Sequence, residues 1–214
     1  MSATLIDTRH GPARAHLYPP AAGAAQAAIV LGHGAGGGVG SADLVAATEV
    51  ATSLGVAVAL VEQPYRVAGR RAPAPASHLD TAWAAVVEHL RAGELSDLPL
   101  IVGGRSLGAR VACRAADGMG AAGVLCLAFP LQPPQRKGKA LSPSRLPELE
   151  AVSAPTLIVQ GSSDQFGIPP EAPGRRVALV PGDHSLRADP DAVGAAVAAW
   201  LPAVVPGLPR SARG

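Results

Sequence analysis

The sequence predicts a mostly parallel, doubly wound α/β sheet with helices on both faces. Short apolar runs without polar alternation recur along the chain, as expected for strands that are buried on both faces. They alternate with segments of helical periodicity, and this alternation is typical of parallel sheets. No internal repeat interrupts the pattern. We therefore expect a single domain over residues 1–205, followed by a disordered tail over residues 206–214.

The predicted elements follow one another with short connections. The chain begins with a hairpin whose arms, Thr4–Asp7 and Ala13–Tyr18, flank the turn His10-Gly11-Pro12. Buried strands are predicted at Ala27–Leu31, Val56–Val61, Leu100–Val102, Gly123–Ala128, Thr156–Gln160 and Val177–Val180. Helices are predicted at Ala42–Leu54, His78–Arg91, Leu107–Ala116, Leu146–Ala151 and from Pro190 to about Trp200.

Capping residues mark the ends of several predicted helices. Ser41 is the expected N-cap of the first helix, and Gly55 follows its C-terminal end. Ser77 and Asp80 match a capping box, in which a hydroxyl and a carboxylate satisfy free amides at a helix start. Asp189, followed by a proline at the first helical position, is a typical start for the last helix.

Composition excludes several classes of protein. Hydrophobic residues make up 48% of the chain, the net charge is +2, and no dense basic run points to nucleic acid. No apolar run reaches the roughly 18 residues that a membrane span needs, and the first residues do not resemble a signal peptide. Cys113 and Cys126 are expected to be free, buried thiols, which favours a reducing compartment. We therefore predict a cytoplasmic protein that binds neither nucleic acid nor membranes.

The segment Gly104-Arg105-Ser106-Leu107-Gly108 has the pattern G-x-S-x-G between a predicted strand and a predicted helix. In that context the serine lies at the tip of a tight turn, in a strained conformation that exposes its hydroxyl. Side chains at Gly104 and Gly108 would collide with the neighbouring strand and helix. The pattern favours a nucleophile at Ser106 over a glycine-rich turn with an incidental serine.

Four candidate parts of a functional site, one loop and three single residues, follow the C-terminal ends of predicted strands. They are the glycine-rich loop that starts at His33, Ser106, Asp164 and His184. Parallel strands place all four at one edge of the sheet. The chain order serine, aspartate, histidine is the one found in hydrolases with a G-x-S-x-G turn.

These residue types suit nucleophilic catalysis. A serine hydroxyl needs an adjacent base to accept its proton, which His184 could do, and Asp164 would orient the imidazole. The oxyanion would bind to the backbone amide of Leu107 and to that of Ala35 or Gly36. No metal and no cofactor is predicted.

Less specific interpretations remain for each piece. His184 could belong to a surface turn, Asp164 could cap a turn, and Asp183 is an alternative acid beside the histidine. The loop after His33 could bind phosphate, although it lacks the lysine of a phosphate-binding loop. We expect His33 to support this loop by hydrogen bonding rather than to act as a base.

Six segments together match a family pattern. They are His33–Gly37, Gly104–Gly108, Phe129–Pro134, Leu146–Leu149, Pro155–Gly161 with Asp164, and Gly182–Ser185. Through them the chain resembles the α/β-hydrolase superfamily over nearly its whole length. More narrowly, it resembles the lidless branch typified by testis-expressed protein thirty and subunit three of the non-specific-lethal complex. It is also similar in size to dienelactone hydrolases, although those proteins have a cysteine where this chain has Ser106.

The resemblance implies an α/β-hydrolase fold with Ser106, Asp164 and His184 as the catalytic triad. The connection between the strands that end near Ala128 and begin at Thr156 is too short for a helical cap domain, so we expect no lid. The open site is expected to be rimmed by Tyr65, Phe129, Leu131, Phe166 and Leu186.

The sequence thus leads to a functional hypothesis. We expect a serine hydrolase that acts on a small-molecule carboxylic ester or thioester through an acyl-enzyme. The alternatives are a non-catalytic binding module with the same fold, and an acyltransferase or perhydrolase with the same triad. The sequence predicts no oligomeric state.

Overall fold

A computed structural model describes residues 2–135, 138 and 140–209. Its core is one eight-stranded sheet with the strand order β1-β2-β4-β3-β5-β6-β7-β8. The strands are β1 Ser2–Ile6, β2 Ala13–Tyr18, β3 Ala27–Gly32, β4 Val56–Glu62, β5 Leu100–Arg105, β6 Gly123–Leu127, β7 Thr156–Gly161 and β8 Arg175–Val180. β1 and β2 are antiparallel to their neighbours, whereas β3 to β8 are parallel. The predicted hairpin and the predicted parallel sheet are confirmed.

In the part of the chain that the structure describes, six helices and one 3-10 turn connect these strands. The helices are α1 Ala42–Ser53, α2 Pro64–Val67, α3 Ala76–Ala92, α4 Leu107–Ala115, α5 Leu146–Glu150 and α6 Pro190–Val204, and the 3-10 turn is Asp117–Met119. All five predicted helices are present, and α2 is an additional one that starts at a proline. Within the described residues, no helix combines the length and the apolar character needed to cross a membrane.

Of the predicted helix caps, the one at Asp189 is confirmed and the capping box before α3 is not. Asp189 caps α6 by accepting a hydrogen bond from the amide of Ala192. The predicted capping box before α3 is wrong, because the helix already begins at Ala76, after the extended residue Pro75. Ser77 therefore lies inside the helix, and Asp80 instead forms an ion pair with Arg114 on α4.

Two apolar clusters cover the two faces of the sheet. Residues alternate along β3, so that Ala28 and Val30 join one cluster while Ile29 and Leu31 join the other. The first cluster includes buried residues of α3, α4 and α5, and the second those of α1 and α6. Burial on both faces explains why the strand sequences are continuously apolar.

The C-terminal residues extend the second cluster. Leu208 is buried in it, although it lies beyond the predicted domain boundary at residue 205. Residues 210–214 of the predicted disordered tail lie outside the described residues.

The two cysteines lie in the interior between α4 and β6. Both are free thiols, as predicted, and the Sγ atoms of Cys113 and Cys126 are 3.5 Å apart. Hydrogen bonding to Cys113 and burial raise the pKa of the Cys126 thiol well above its usual value.

Candidate active site

Ser106 occupies a sharp turn between β5 and α4. Its backbone has φ 51° and ψ −103°, a left-handed conformation that is strained for a residue with a side chain. A Cβ atom at Gly104 would lie 2.4 Å from the carbonyl oxygen of Gly32, and one at Gly108 would lie 2.2 Å from the same oxygen. The predicted collisions are confirmed, and they explain why glycine occupies both positions.

The structure brings together the three residues of the predicted triad. Nε2 of His184 lies 2.9 Å from the Ser106 hydroxyl, and its Nδ1 lies 2.7 Å from Oδ2 of Asp164. The carboxylate accepts the Nδ1 proton, so Nε2 is left to accept the proton of the serine hydroxyl. This arrangement can transfer a proton from Ser106 to His184 as the serine attacks.

The Asp164 side chain is fully buried, and both of its oxygens accept hydrogen bonds. Oδ2 also accepts from Nε2 of Gln160 at 2.7 Å, and Oδ1 accepts from the amide of Phe166 at 2.8 Å. Asp164 therefore caps a turn and contacts His184 at the same time. Sequence reasoning missed Gln160, although a buried glutamine at the end of an apolar strand was a usable signal.

Asp183, the alternative acid, is hydrogen-bonded to Ser185, whereas Nδ1 of the imidazole is bonded to Asp164. The exposed Asp183 carboxylate accepts hydrogen bonds from the hydroxyl and the amide of Ser185, which lower the pKa of Asp183. A Cβ at Gly161 would lie 2.4 Å from the Asp183 carbonyl oxygen. This close backbone contact brings the turn after β7 against the loop that holds His184.

The glycine-rich loop follows β3 at the same edge of the sheet. The amide of Gly37 donates to the carbonyl of Gly34 at 3.3 Å, which forms a tight turn around Ala35 and Gly36. Within the described residues, the amides of Ala35, Gly36 and Leu107 donate to no protein acceptor. They are therefore free to bind an oxyanion.

Two side chains support this loop. His33 Nδ1 donates to the Gly34 carbonyl at 2.8 Å, and its Nε2 accepts from the amide of Gln63 at 3.1 Å. Burial lowers the pKa of His33, so the imidazole is neutral when it accepts this bond. The hydroxyl of Tyr65 donates to the Ala35 carbonyl at 3.0 Å, and burial raises the pKa of Tyr65 to about 12. The predicted structural role of His33 agrees with these contacts.

The predicted rim of the site requires a correction. Phe129 and Leu186 are fully buried, in opposite clusters, and offer no surface to a substrate. Tyr65 is also buried and contacts the loop instead. Phe166 and Leu131 are partly exposed, and the Phe166 ring centre lies 4.3 Å from that of His184. Of the predicted rim, only these two side chains are accessible.

Arg105 is a further charged residue at the site, and sequence reasoning gave it no role. Its Nη2 donates to the carbonyl oxygen of His184 at 2.9 Å, and its Nε lies 3.1 Å from Oδ2 of Asp43. No cluster of three or more His, Cys, Asp or Glu side chains that could hold a metal ion occurs among residues 2–135, 138 and 140–209.

Solved structures with this architecture include hydrolases. XC6422 from Xanthomonas campestris, a serine hydrolase without a lid, is 17% identical, with 97% of this chain and 96% of that chain covered and a TM-score of 0.75. Est1E from Butyrivibrio proteoclasticus is 18% identical, with 96% and 99% covered and a TM-score of 0.75. A dienelactone hydrolase from Anabaena variabilis is 17% identical, with 92% of each chain covered and a TM-score of 0.68. These similarities establish the fold.

Among curated protein sequences, none matches this chain. A family model described as alpha/beta hydrolase domain matches residues 25–190, which span the loop after β3, the Ser106 turn and the loops that hold Asp164 and His184. The chain therefore belongs to the alpha/beta hydrolase domain family.

Proposed function

We propose that the protein is a serine hydrolase that cleaves a carboxylic ester or thioester through an acyl-enzyme on Ser106. One observation carries this proposal: the continuous hydrogen bonding from Ser106 through His184 to Asp164, with distances of 2.9 and 2.7 Å. A buried carboxylate, an imidazole and a hydroxyl in this order activate the hydroxyl for attack on a carbonyl carbon.

In the first half-reaction, Oγ of Ser106 forms a bond to the carbonyl carbon while its proton passes to Nε2 of His184. The electron pair of the carbonyl double bond moves to oxygen, and the free amides of Leu107 and of Ala35 or Gly36 stabilise this oxyanion. The imidazolium then donates its proton to the leaving alcohol or thiol. Breaking that bond leaves the acyl group on Ser106.

In the second half-reaction, a water molecule takes the place of the leaving group. His184 accepts a proton from the water, and the hydroxide attacks the acyl carbon. Collapse of the second tetrahedral intermediate returns the proton to Oγ of Ser106 and releases a carboxylic acid. Asp164, bonded to Nδ1 of His184, stabilises each imidazolium that forms.

The surroundings of Ser106 support a small acyl substrate. Within the described residues, the connection between β6 and β7 contains only the five-residue helix α5, which is too small to serve as a cap domain. Phe166 and Leu131 offer the accessible apolar surface. This agrees with the resemblance to the lidless branch of the superfamily, and the free thiols support a cytoplasmic location.

Labelling with a fluorophosphonate, read by intact mass, tests the proposal. Folded wild-type protein should gain one adduct, and the Ser106→Ala and His184→Ala variants should gain none. Turnover of a panel of short-chain esters and thioesters would then identify the acyl group. A folded wild-type protein that forms no adduct would contradict the proposal and favour a binding module. An adduct without hydrolysis would favour acyl transfer to another acceptor.

The assignment of the acid has its own test. Asp164→Asn should lower kcat about 10⁴-fold, because an amide cannot stabilise the imidazolium or the required tautomer. Asp183→Asn, a charge-matched control on an exposed residue, should keep kcat within about twofold of wild type. Ester hydrolysis rates at pH 8 measure both. The reverse order of effects would overturn the assignment.

A further inference from the structure

The Arg105 side chain lies where three loops of the site meet. It belongs to the Ser106 turn, its Nη2 donates to the backbone carbonyl of His184, and its Nε pairs with Asp43 at the start of α1. The loop after β3 lies against it as well, because a Cβ at Gly34 would be only 2.7 Å from Nη1. One guanidinium thus contacts the segments that hold the nucleophile, the base and the candidate oxyanion donors.

Asp43 is the more deeply buried member of the ion pair with Arg105. Its side chain is fully buried, whereas that of Arg105 is 17% exposed. Oδ1 of Asp43 accepts from the amide of Leu44 in the first turn of α1, whereas Oδ2 lies 3.1 Å from Nε of Arg105 in an ion pair without hydrogen-bond geometry. A buried carboxylate is costly without an opposite charge beside it, and Arg105 supplies that charge. The ion pair therefore fixes the guanidinium relative to α1.

We propose that Arg105, oriented by Asp43, is a positioning residue that sets the place of the His184 loop relative to Ser106. The guanidinium is planar, so its Nη2 can donate to the His184 carbonyl while its positive charge stays beside the Asp43 carboxylate. Its catalytic consequence rests on the hydrolase activity proposed above, but its effect on His184 does not.

The first test follows the ring signals of His184 by nuclear magnetic resonance at one fixed pH, with the signals assigned by their loss in His184→Gln. In Asp43→Asn the guanidinium loses its buried partner, so the His184 loop should shift and the ring signals should move from their wild-type positions. Arg105→Gln should move them too, and the double variant Asp43→Asn/Arg105→Gln should add no further change, because Asp43 acts through Arg105.

Asp191→Asn is the matched control. Asp191 holds the second helical position of α6, as Asp43 does in α1, but it is exposed and distant from Arg105 in the sequence. Its substitution should leave the His184 ring signals unchanged. Asp43→Asn ring signals equal to those of wild type, or shifts of the two single variants that simply add in the double variant, would overturn the proposal.

Kinetics with p-nitrophenyl acetate give a second readout. Arg105→Gln should lower kcat about tenfold or more while KM changes by less than threefold, because the acyl site is intact but the base is displaced. Arg105→Lys keeps the charge but reaches only one partner, so it should recover part of kcat. A purely structural role would lower the melting temperature of both variants and leave kcat per folded molecule unchanged, which would contradict the proposal.

The two experiments separate the two proposals. If wild-type protein hydrolyses no ester, the proposed function fails, yet the ring signals of His184 still decide whether Arg105 and Asp43 position it. If wild-type protein is active and the variants behave as wild type in both readouts, the hydrolase stands and the role of Arg105 is wrong.

Discussion

Two glycine-rich stretches of this chain look alike in sequence and differ in structure. At the turn around Ser106, a Cβ on Gly103, Gly104 or Gly108 would lie 2.2–2.4 Å from a backbone oxygen of a neighbouring strand. In the loop after β3, a Cβ on Gly36, Gly37, Gly38 or Gly40 would meet nothing within 4 Å. Close packing therefore requires glycine in the first stretch. In the second stretch there is open space around the backbone, and packing does not exclude a side chain.

The difference indicates how each part of the site is held in place. The nucleophile turn is fixed by contacts between backbones, which no side-chain rotation can relieve. The loop after β3 has no such contacts at its tip and depends on side chains, namely His33, Tyr65 and Arg105. Substitutions should therefore lower the stability most at the turn and less at the side chains that support the loop.

Gly108→Ala should have the largest effect. The new Cβ would overlap the carbonyl oxygen of Gly32, so we expect a loss of about 3 kcal/mol or more in the free energy of unfolding, despite the better helix propensity of alanine. Gly38→Ala is the control, with an expected change within about 0.5 kcal/mol. Urea unfolding measures both. Equal effects at the two positions would show that the two stretches do not differ as described.

His33→Ala should have the next largest effect, about 2 kcal/mol at pH 7.5, because it leaves the buried amide of Gln63 without its acceptor. Burial lowers the pKa of His33, so the unfolded chain binds the proton more tightly than the folded protein does. The stabilisation by neutral His33 is complete above about pH 6.5 and is lost as the pH falls below that value.

The difference in stability between wild type and His33→Ala should therefore narrow between pH 7.5 and pH 5.5. Urea unfolding at the two pH values measures it, and groups common to both proteins cancel in the difference. A difference that stays constant or widens on acidification would contradict the neutral, accepting role of His33.

Tyr65→Phe should have the smallest effect. Loss of its hydrogen bond to the Ala35 carbonyl should lower kcat about tenfold and cost about 1 kcal/mol in stability. Since the pKa of Tyr65 is about 12, the hydroxyl stays protonated in the assay range, and the ratio of the rates should not change between pH 6 and pH 9. Tyr18→Phe, on the strand β2, is the control and should keep wild-type kcat.

The sequence predicted those features that depend on local pattern. Continuous apolar runs identified the buried strands, and the polar residues that follow them predicted the candidate triad Ser106, Asp164 and His184, which the structure brings together. The predicted clashes of side chains at Gly104 and Gly108 were also correct. A tight turn between a strand and a helix leaves no room for side chains on either side of the serine.

Features that depend on distant contacts were not predicted. Phe129 and Leu186 follow strands and look like rim residues, but the packing of the two clusters buries them. Asp80 has the spacing of a capping residue, yet it pairs with Arg114 because α3 and α4 pack side by side. The pairing of Arg105 with Asp43 joins two turns that are remote in sequence, and no local sequence pattern predicts it.

The neighbouring thiols of Cys113 and Cys126 can report how often the helix α4 separates from the sheet. Both are buried between α4 and β6, so neither reacts with a thiol reagent until the helix separates from the sheet. The rate of their labelling under native conditions thus reports how often this region opens. If the protein hydrolyses esters as proposed, comparison with the loss of that activity would show whether it inactivates by local opening or by global unfolding.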